Sequence, residues 1–69
     1  MDKWTIKRYA VKRLNSENKI EYWNFFFDEW VSPEKVNDGC VTTPSTASCV
    51  HNEYYGSEIV EMKITIEEN

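Results

Sequence analysis

The fold is decided by the stretch Ile20-Glu21-Tyr22-Trp23-Asn24-Phe25-Phe26-Phe27-Asp28-Glu29-Trp30-Val31, which holds six of the ten aromatic residues in the chain. A buried aromatic side chain removes roughly 150–250 Å² of surface from water. No other segment of this chain offers as much apolar surface to a core. We therefore expect this stretch to contain the organising strand, around which the remaining residues fold.

The length of the chain limits how many domains it can form. A chain of 69 residues is near the lower limit at which a hydrophobic core alone supports a fold, so we predict one domain over residues 1–69. Hydrophobic residues make up 41% and charged residues 29%, which is typical of a folded soluble protein. No apolar run approaches the roughly 20 residues that span a bilayer, and the start does not resemble a signal peptide. We expect a cytoplasmic protein without membrane attachment.

The first half of the sequence predicts a hairpin. Residues 3–14 alternate as a strand, but the alternation changes phase at Lys7-Arg8, which predicts a β-bulge there. The polar cluster at residues 15–18 predicts a turn. Residues 19–26 then form a second strand, antiparallel to the first and apolar on both faces. After a bend at Asp28-Glu29, Trp30-Val31 returns as a very short strand.

The second half predicts one helix and a final strand. Following a loop at residues 32–39, Thr43 is a suitable N-cap and Pro44 a suitable first helical residue. The helix extends to Tyr55, and Gly56 follows it. Its apolar stripe, which would lie on the sheet, consists of Ala47, Val50 and Tyr54.

The last strand covers residues 57–67 and is apolar on one side only. Its apolar residues alternate with charged or polar ones, which predicts one buried face formed by Val60, Met62, Ile64 and Ile66. The predicted fold is therefore α+β: a small antiparallel sheet of three to four strands in ββαβ order, with one helix packed on one face.

The sequence offers little for catalysis. The only histidine, His51, is two residues from Cys49, and residues two apart on a helix do not face each other. The paired acids Asp28-Glu29 and Glu67-Glu68 are adjacent and expected to be solvated. With only two glycines there is no phosphate-binding loop. We predict that the protein is not an enzyme and needs no cofactor.

The two cysteines have three interpretations. Cys40, Cys49 and His51 could ligate a metal, but their spacing matches no zinc pattern. The cysteines could form a disulfide if oxidised, although two cysteines without a signal peptide are normally reduced. We favour small buried or half-buried thiols, a surface histidine and no metal site.

The charge is unevenly distributed. Residues 1–31 contain six lysines and arginines against five acids, whereas residues 32–69 contain two against seven. The net charge of −4 argues against a protein whose main task is gripping a nucleic-acid backbone, because that normally requires an excess of cations.

Several segments resemble small proteins encoded by phages and prophages of Gram-positive bacteria. They are Tyr9-Ala10-Val11-Lys12-Arg13, Tyr22-Trp23-Asn24, Trp30-Val31, Thr43-Pro44-Ser45-Thr46-Ala47 and Tyr55-Gly56-Ser57-Glu58-Ile59-Val60-Glu61-Met62-Lys63-Ile64. The resemblance covers most of the chain and implies a small viral accessory protein. The chain departs from it at Phe25-Phe26-Phe27, where a Gly- or Asn-rich turn is expected.

These observations favour a non-catalytic protein that binds a host protein, such as a nuclease, and inhibits a bacterial defence system in the manner of an anti-CRISPR. Aromatic anchors and an acidic face would contact the partner. The candidate anchors are Trp23, Phe25, Phe27 and Trp30, and the candidate acidic face consists of Glu53, Glu58, Glu61, Glu67 and Glu68. The alternative is that these acids only keep a small protein soluble.

A nucleic-acid-binding module is the second functional hypothesis. Its cations on the hairpin would be Lys7, Arg8, Lys12, Arg13 and Lys19, and the aromatic residues among them are Trp4, Tyr9, Tyr22 and Trp23. The competing explanation is that the aromatic residues are core and the cations protect an edge strand. Because one helix cannot cover both apolar faces of the second strand, we also expect a homodimer or a hydrophobic partner site.

Overall fold

A computed structural model describes the backbone of residues 2–68 and the side chains of residues 3–67. The strands are β1 (Asp2–Leu14), β2 (Ile20–Asn24), β3 (Glu29–Val31) and β4 (Glu58–Glu68), and the helix is α1 (Pro44–Glu53). Two 3₁₀ turns, Pro33–Lys35 and Asp38–Cys40, lie in the long loop before α1. The strands form one antiparallel sheet in the order β3-β2-β1-β4. This arrangement confirms the predicted α+β class.

The pairing of β1 with β4 is continuous along both strands. It extends without interruption from Asp2 opposite Glu68 to Lys12 opposite Glu58, so the predicted bulge at Lys7-Arg8 is wrong. The apolar pattern changes phase because β1 uses opposite faces at its two ends. The half that begins at Asp2 places its apolar side chains on one face of the sheet, and the half that ends at Leu14 places them mainly on the other.

The turn between β1 and β2 confirms the predicted hairpin. Asn15 Oδ1 accepts hydrogen bonds from the N–H groups of Glu17 and Lys19 at 2.9 and 3.0 Å. Asn18 adopts a left-handed conformation with φ of 62°, which asparagine tolerates better than most residues. Local asparagine chemistry therefore fixes the register of the first two strands.

The second strand is shorter than predicted. It ends at Asn24 rather than Phe26, and residues 25–28 form the turn to β3. The predicted short return strand is present but begins one residue earlier, at Glu29, and Trp23 lies opposite Trp30. Two phenylalanines that alternation placed within a strand therefore lie in a turn.

Helix α1 begins at Pro44 as predicted and ends at Glu53, two residues before the predicted end. Thr43 occupies the N-cap position, but its hydroxyl makes no cap hydrogen bond to the backbone. Gly56 has a φ of 90°, which allows the chain to turn sharply into β4. No helix within residues 2–68 is long and apolar enough to cross a membrane.

The core lies between α1 and one face of the sheet, which we call the helix face. Val11, Trp23 and Ala47 are buried there, and partly buried Val50 and Tyr54 pack against them. The predicted helical stripe is thus confirmed. The apolar set of β4 (Val60, Met62, Ile64 and Ile66) lies instead on the opposite side, the open face, because it pairs with the even-numbered residues of β1. All four are half-buried, whereas the residues on the other side of β4 are exposed. The predicted alternation of β4 is therefore present, but its apolar face is not fully buried.

Candidate partner-binding site

The structure separates the four predicted aromatic anchors. Trp23 is buried, and its ring centroid lies 5.3 Å from that of Trp30 and 4.9 Å from that of Tyr54. Trp30 and Phe25 are half-buried, and both pack against the buried cluster that contains Trp23. Of the predicted anchors only Phe27 is exposed, at 70% of its surface. The two tryptophans therefore serve the core.

A more exposed aromatic residue was not among the predicted anchors. Phe26 exposes 82% of its surface beside Phe27, and the two ring centroids are 5.9 Å apart. Both residues project from the turn between β2 and β3, and we call this pair the aromatic tip. Strand alternation had assigned Phe26 to a sheet face, and only the departure from a Gly- or Asn-rich turn indicated that this run was unusual.

The aromatic tip is held by a buried side chain. Asn24 Oδ1 accepts hydrogen bonds from the N–H groups of Phe26 and Phe27 at 2.9 and 3.0 Å. Only 3% of Asn24 is exposed, so its position is fixed by the surrounding residues. Asp28 completes the turn in a left-handed conformation with φ of 52°. These hydrogen bonds order the turn that exposes the two phenylalanine rings.

The loop before α1 supports the tip from one side. The Phe25 N–H donates to the Gly39 carbonyl at 2.8 Å. The loop itself is stabilised by Asn37, whose Oδ1 accepts from the Gly39 N–H at 2.8 Å, and by Cys40, which is fully buried. Next to the tip is an open cleft of about 250 Å³, and its lining consists of Phe25, Phe26, Asp38, Gly39 and Val41.

Carboxylates surround this site. Asp28 and Glu29 follow the tip directly, and Asp38 lines the cleft; all three are exposed. Within the part of the chain that the structure describes, none of these three forms a salt bridge. We call them the acidic rim. The site thus combines two protruding aromatic rings with unneutralised negative charge.

The predicted acidic face is divided among different surfaces. Glu53 ends α1, Glu58 lies on the open face, and Glu61 and Glu67 lie on the helix face. Two of these acids are paired: Glu58 with Lys12 at 3.1 Å and Glu61 with Lys7 at 3.9 Å. Glu68 is the last residue of β4, and its side chain is outside the described residues.

The predicted basic residues are divided in the same way. Lys7 and Arg13 lie on the helix face, Arg8 and Lys12 on the open face, and Lys19 in the turn before β2. Four of the five form salt bridges, at 3.1–3.9 Å, and Arg8 forms none with the side chains of residues 3–67. The Arg13 guanidinium also lies 4.1 Å from the centre of the Trp30 ring. The cations are therefore paired locally and do not form one basic patch.

One polar pair was missed by the sequence analysis. His51 Nδ1 lies 3.1 Å from Ser57 Oγ, which is also 2.7 Å from the Tyr54 carbonyl. When the single hydroxyl proton of Ser57 is donated to this carbonyl, the Ser57 oxygen can accept a hydrogen bond from a protonated His51 Nδ1. This pair links the end of α1 to Ser57. In the sequence, only Gly56 indicated a turn that could bring residue 57 back to the helix.

The cysteines and the histidine are not arranged as a metal site. Cys40 is buried, Cys49 is exposed, and both thiols are free. Among the described residues, no group of three or more His, Cys, Asp or Glu side chains could hold a metal ion.

No protein-family model matches the chain, and no curated protein or solved structure is detectably similar to it.

Proposed function

We propose that this protein is a non-catalytic binding protein that inserts its aromatic tip into an apolar pocket of a host protein. The observation that supports this function is the exposure of Phe26 and Phe27, at 82% and 70%, on a turn fixed by a buried asparagine. Aromatic residues are enriched in the buried centres of protein interfaces. A turn that is already ordered loses less conformational entropy when it binds.

The acidic rim favours a partner with positive charge around its pocket. Asp28, Glu29 and Asp38 surround the tip without salt bridges to described residues, so a pocket bordered by lysine or arginine would complement them. Such complementarity accelerates association and disfavours acidic partners. The cleft beside Phe26 would accept a side chain from the partner. The expected partner is therefore a protein with a basic, partly apolar groove.

The resemblance to phage proteins supports a narrower form of this proposal. A nucleic-acid channel of a host nuclease is a basic groove of the required kind. We therefore propose that the chain acts in the host cytoplasm as an accessory protein that blocks such a channel, which would make it an anti-CRISPR-like inhibitor.

The binding proposal can be tested by crosslinking. A photoreactive phenylalanine analogue replaces Phe27, and the protein is irradiated in nuclease-treated lysate of a Gram-positive bacterium. We expect a discrete crosslinked host protein that disappears in excess unlabelled parent but persists in excess Phe26→Ser/Phe27→Ser protein. Tyr55→Ser is the matched control, because Tyr55 is fully exposed elsewhere and its loss should leave competition intact. Equal competition by the double variant would contradict the proposal.

The inhibitor proposal has a separate test. The chain is expressed in bacteria that carry an active CRISPR defence against a lytic phage. We expect plaque formation to rise with the parent and with Tyr55→Ser, and to remain at the defended level with Phe26→Ser/Phe27→Ser. Unchanged plaque formation with a host crosslink present would reject the inhibitor role in that system and retain the binding function.

A further inference from the structure

We propose that the outer edge of β4 pairs with β4 of a second copy of this chain, antiparallel and across a two-fold axis. The sheet order places β4 at an edge, and its 11 residues pair only with β1 among the described strands. Edge strands are usually protected by short length, proline, bulges or charged side chains. β4 is long and has no proline or bulge, so its charged residues are its only protection of this kind, and these include both signs. By contrast, β3 at the opposite edge has three residues and is followed closely by Pro33.

The backbone groups that point outward from β4 can be identified. Tyr9 exchanges hydrogen bonds with Thr42 at 2.9 and 2.8 Å, on the side of β1 away from β4. In an antiparallel sheet both polar groups of a residue point the same way, and the direction alternates along the strand. Glu61, opposite Tyr9, therefore points away from β1. The same holds for the other odd-numbered residues of β4, which are Ile59, Lys63, Thr65 and Glu67.

The charges on these residues favour one register. Lys63 lies directly opposite Lys7 and forms no salt bridge with any described residue. When the two-fold axis passes through Met62, Lys63 faces the partner's Glu61, and this pair occurs twice. Opposite charges directly across a strand pair are stabilising, and like charges are destabilising.

Neighbouring registers are less favourable. An axis through Lys63 places Lys63 opposite the partner's Lys63, and an axis through Glu61 places Glu61 opposite the partner's Glu61. An axis through Ile64 places Glu61 opposite the partner's Glu67. An axis through Thr65 also pairs Lys63 with an acid, the partner's Glu67, but it leaves a shorter overlap. Of the two registers that pair Lys63 with an acid, the one centred on Met62 has the longer overlap.

The same register is compatible with the open face. Met62 would face the partner's Met62, and Val60 would face the partner's Ile64. Because Ile64 lies opposite Ile6 and Val60 opposite Ala10 within one copy, an apolar row would continue across the junction. Two four-stranded sheets would become one sheet of eight strands.

The first test exchanges the charges in the full chain. Light scattering over a concentration series should show a dimer for the parent, and Lys63→Glu or Glu61→Lys should raise its Kd by about tenfold. The double variant restores opposite charges and should return the Kd to within about threefold of the parent. Lys35→Glu, which makes the same charge change far from β4, should have no effect, and circular dichroism verifies folding. Phe26→Ser/Phe27→Ser should still dimerise, which separates this test from the proposed function.

The second test fixes the register. Met62→Cys in a Cys49→Ser background should give a disulfide-linked dimer on mild oxidation, because residues opposite each other at the axis lie about 4.5 Å apart between Cα atoms. Thr65→Cys in the same background should not, because its copies would lie far apart. A parent that is monomeric throughout, a dimer insensitive to both single charge reversals, or crosslinking through Thr65→Cys alone would overturn the proposal.

Discussion

A β-carbon on residue 39 would lie 3.0 Å from the side-chain oxygen of Asn24. Gly39 therefore allows the loop before α1 to approach the turn that carries the aromatic tip. The Asn24 oxygen that is crowded by residue 39 is the atom that accepts the N–H groups of Phe26 and Phe27. The exposed rings, the buried asparagine and the glycine act as one unit.

Gly39→Ala should disturb this unit. The new methyl group would also lie 3.1 Å from Asn37 Oδ1, so polar side chains must shift, and we expect a loss of about 1–2 kcal/mol in the free energy of unfolding. Binding to the host protein, measured by crosslinking, should weaken as well. Gly56→Ala is the control: its φ of 90° makes it destabilising by about 1 kcal/mol, but capture should be unaffected. Urea denaturation and the crosslinking assay measure the two effects, and a fully stable Gly39→Ala protein would contradict this account.

Asn24→Ala should loosen the tip. It removes the acceptor of two N–H groups, and we expect the free energy of unfolding to fall by about 1–3 kcal/mol and partner capture to weaken. Asn15→Ala is a close match, because Asn15 also accepts two backbone N–H groups in the other hairpin turn. Both variants should lose stability, and only Asn24→Ala should lose capture. Equal capture by the two would mean that the preformed turn does not contribute to binding.

The sequence predicted most of the fold because its local signals are strong. Pro44 at the start of α1, the asparagines of the first turn and the stripe that includes Val50 all lie where the local chemistry of each residue type places them. The predicted bulge was wrong because alternation cannot show that a strand carries apolar side chains on one face at one end and on the other face at the opposite end. That information depends on where the short helix lies.

The candidate site was predicted less well. Large aromatic residues suit both a core and an interface, so composition alone could not separate Trp23, which is buried, from Phe26, which is exposed. The difference arises from the Asn24 side chain, which ends β2 and begins a turn. Likewise, the acids of β4 were predicted to form one acidic face. They lie on both faces of the sheet instead, and two of them form salt bridges with lysines of β1.

Val50→Asp should test the packing of α1 on the sheet. Val50 is partly buried against the core, so a carboxylate there would be desolvated without a partner, and we expect a loss of about 2–3 kcal/mol in the free energy of unfolding. Ser48→Asp adds the same charge at an exposed position of the helix and should change stability by less than about 0.5 kcal/mol. Equal stability of the two variants, measured by denaturant unfolding, would refute this packing.

Nucleic-acid binding by the hairpin is the remaining alternative. The ion pairs formed by the hairpin cations argue against it. Arg13 is bound to Glu21 at 3.1 Å and lies over Trp30, and Lys12 is bound to Glu58. We therefore expect no retardation of single- or double-stranded DNA or RNA in gels at low salt. Lys12→Glu/Arg13→Glu should instead lower stability, because it places like charges opposite each other and removes the cation from the Trp30 ring. Retardation that weakens steeply with salt and is abolished by the double variant would establish the hairpin as a nucleic-acid surface.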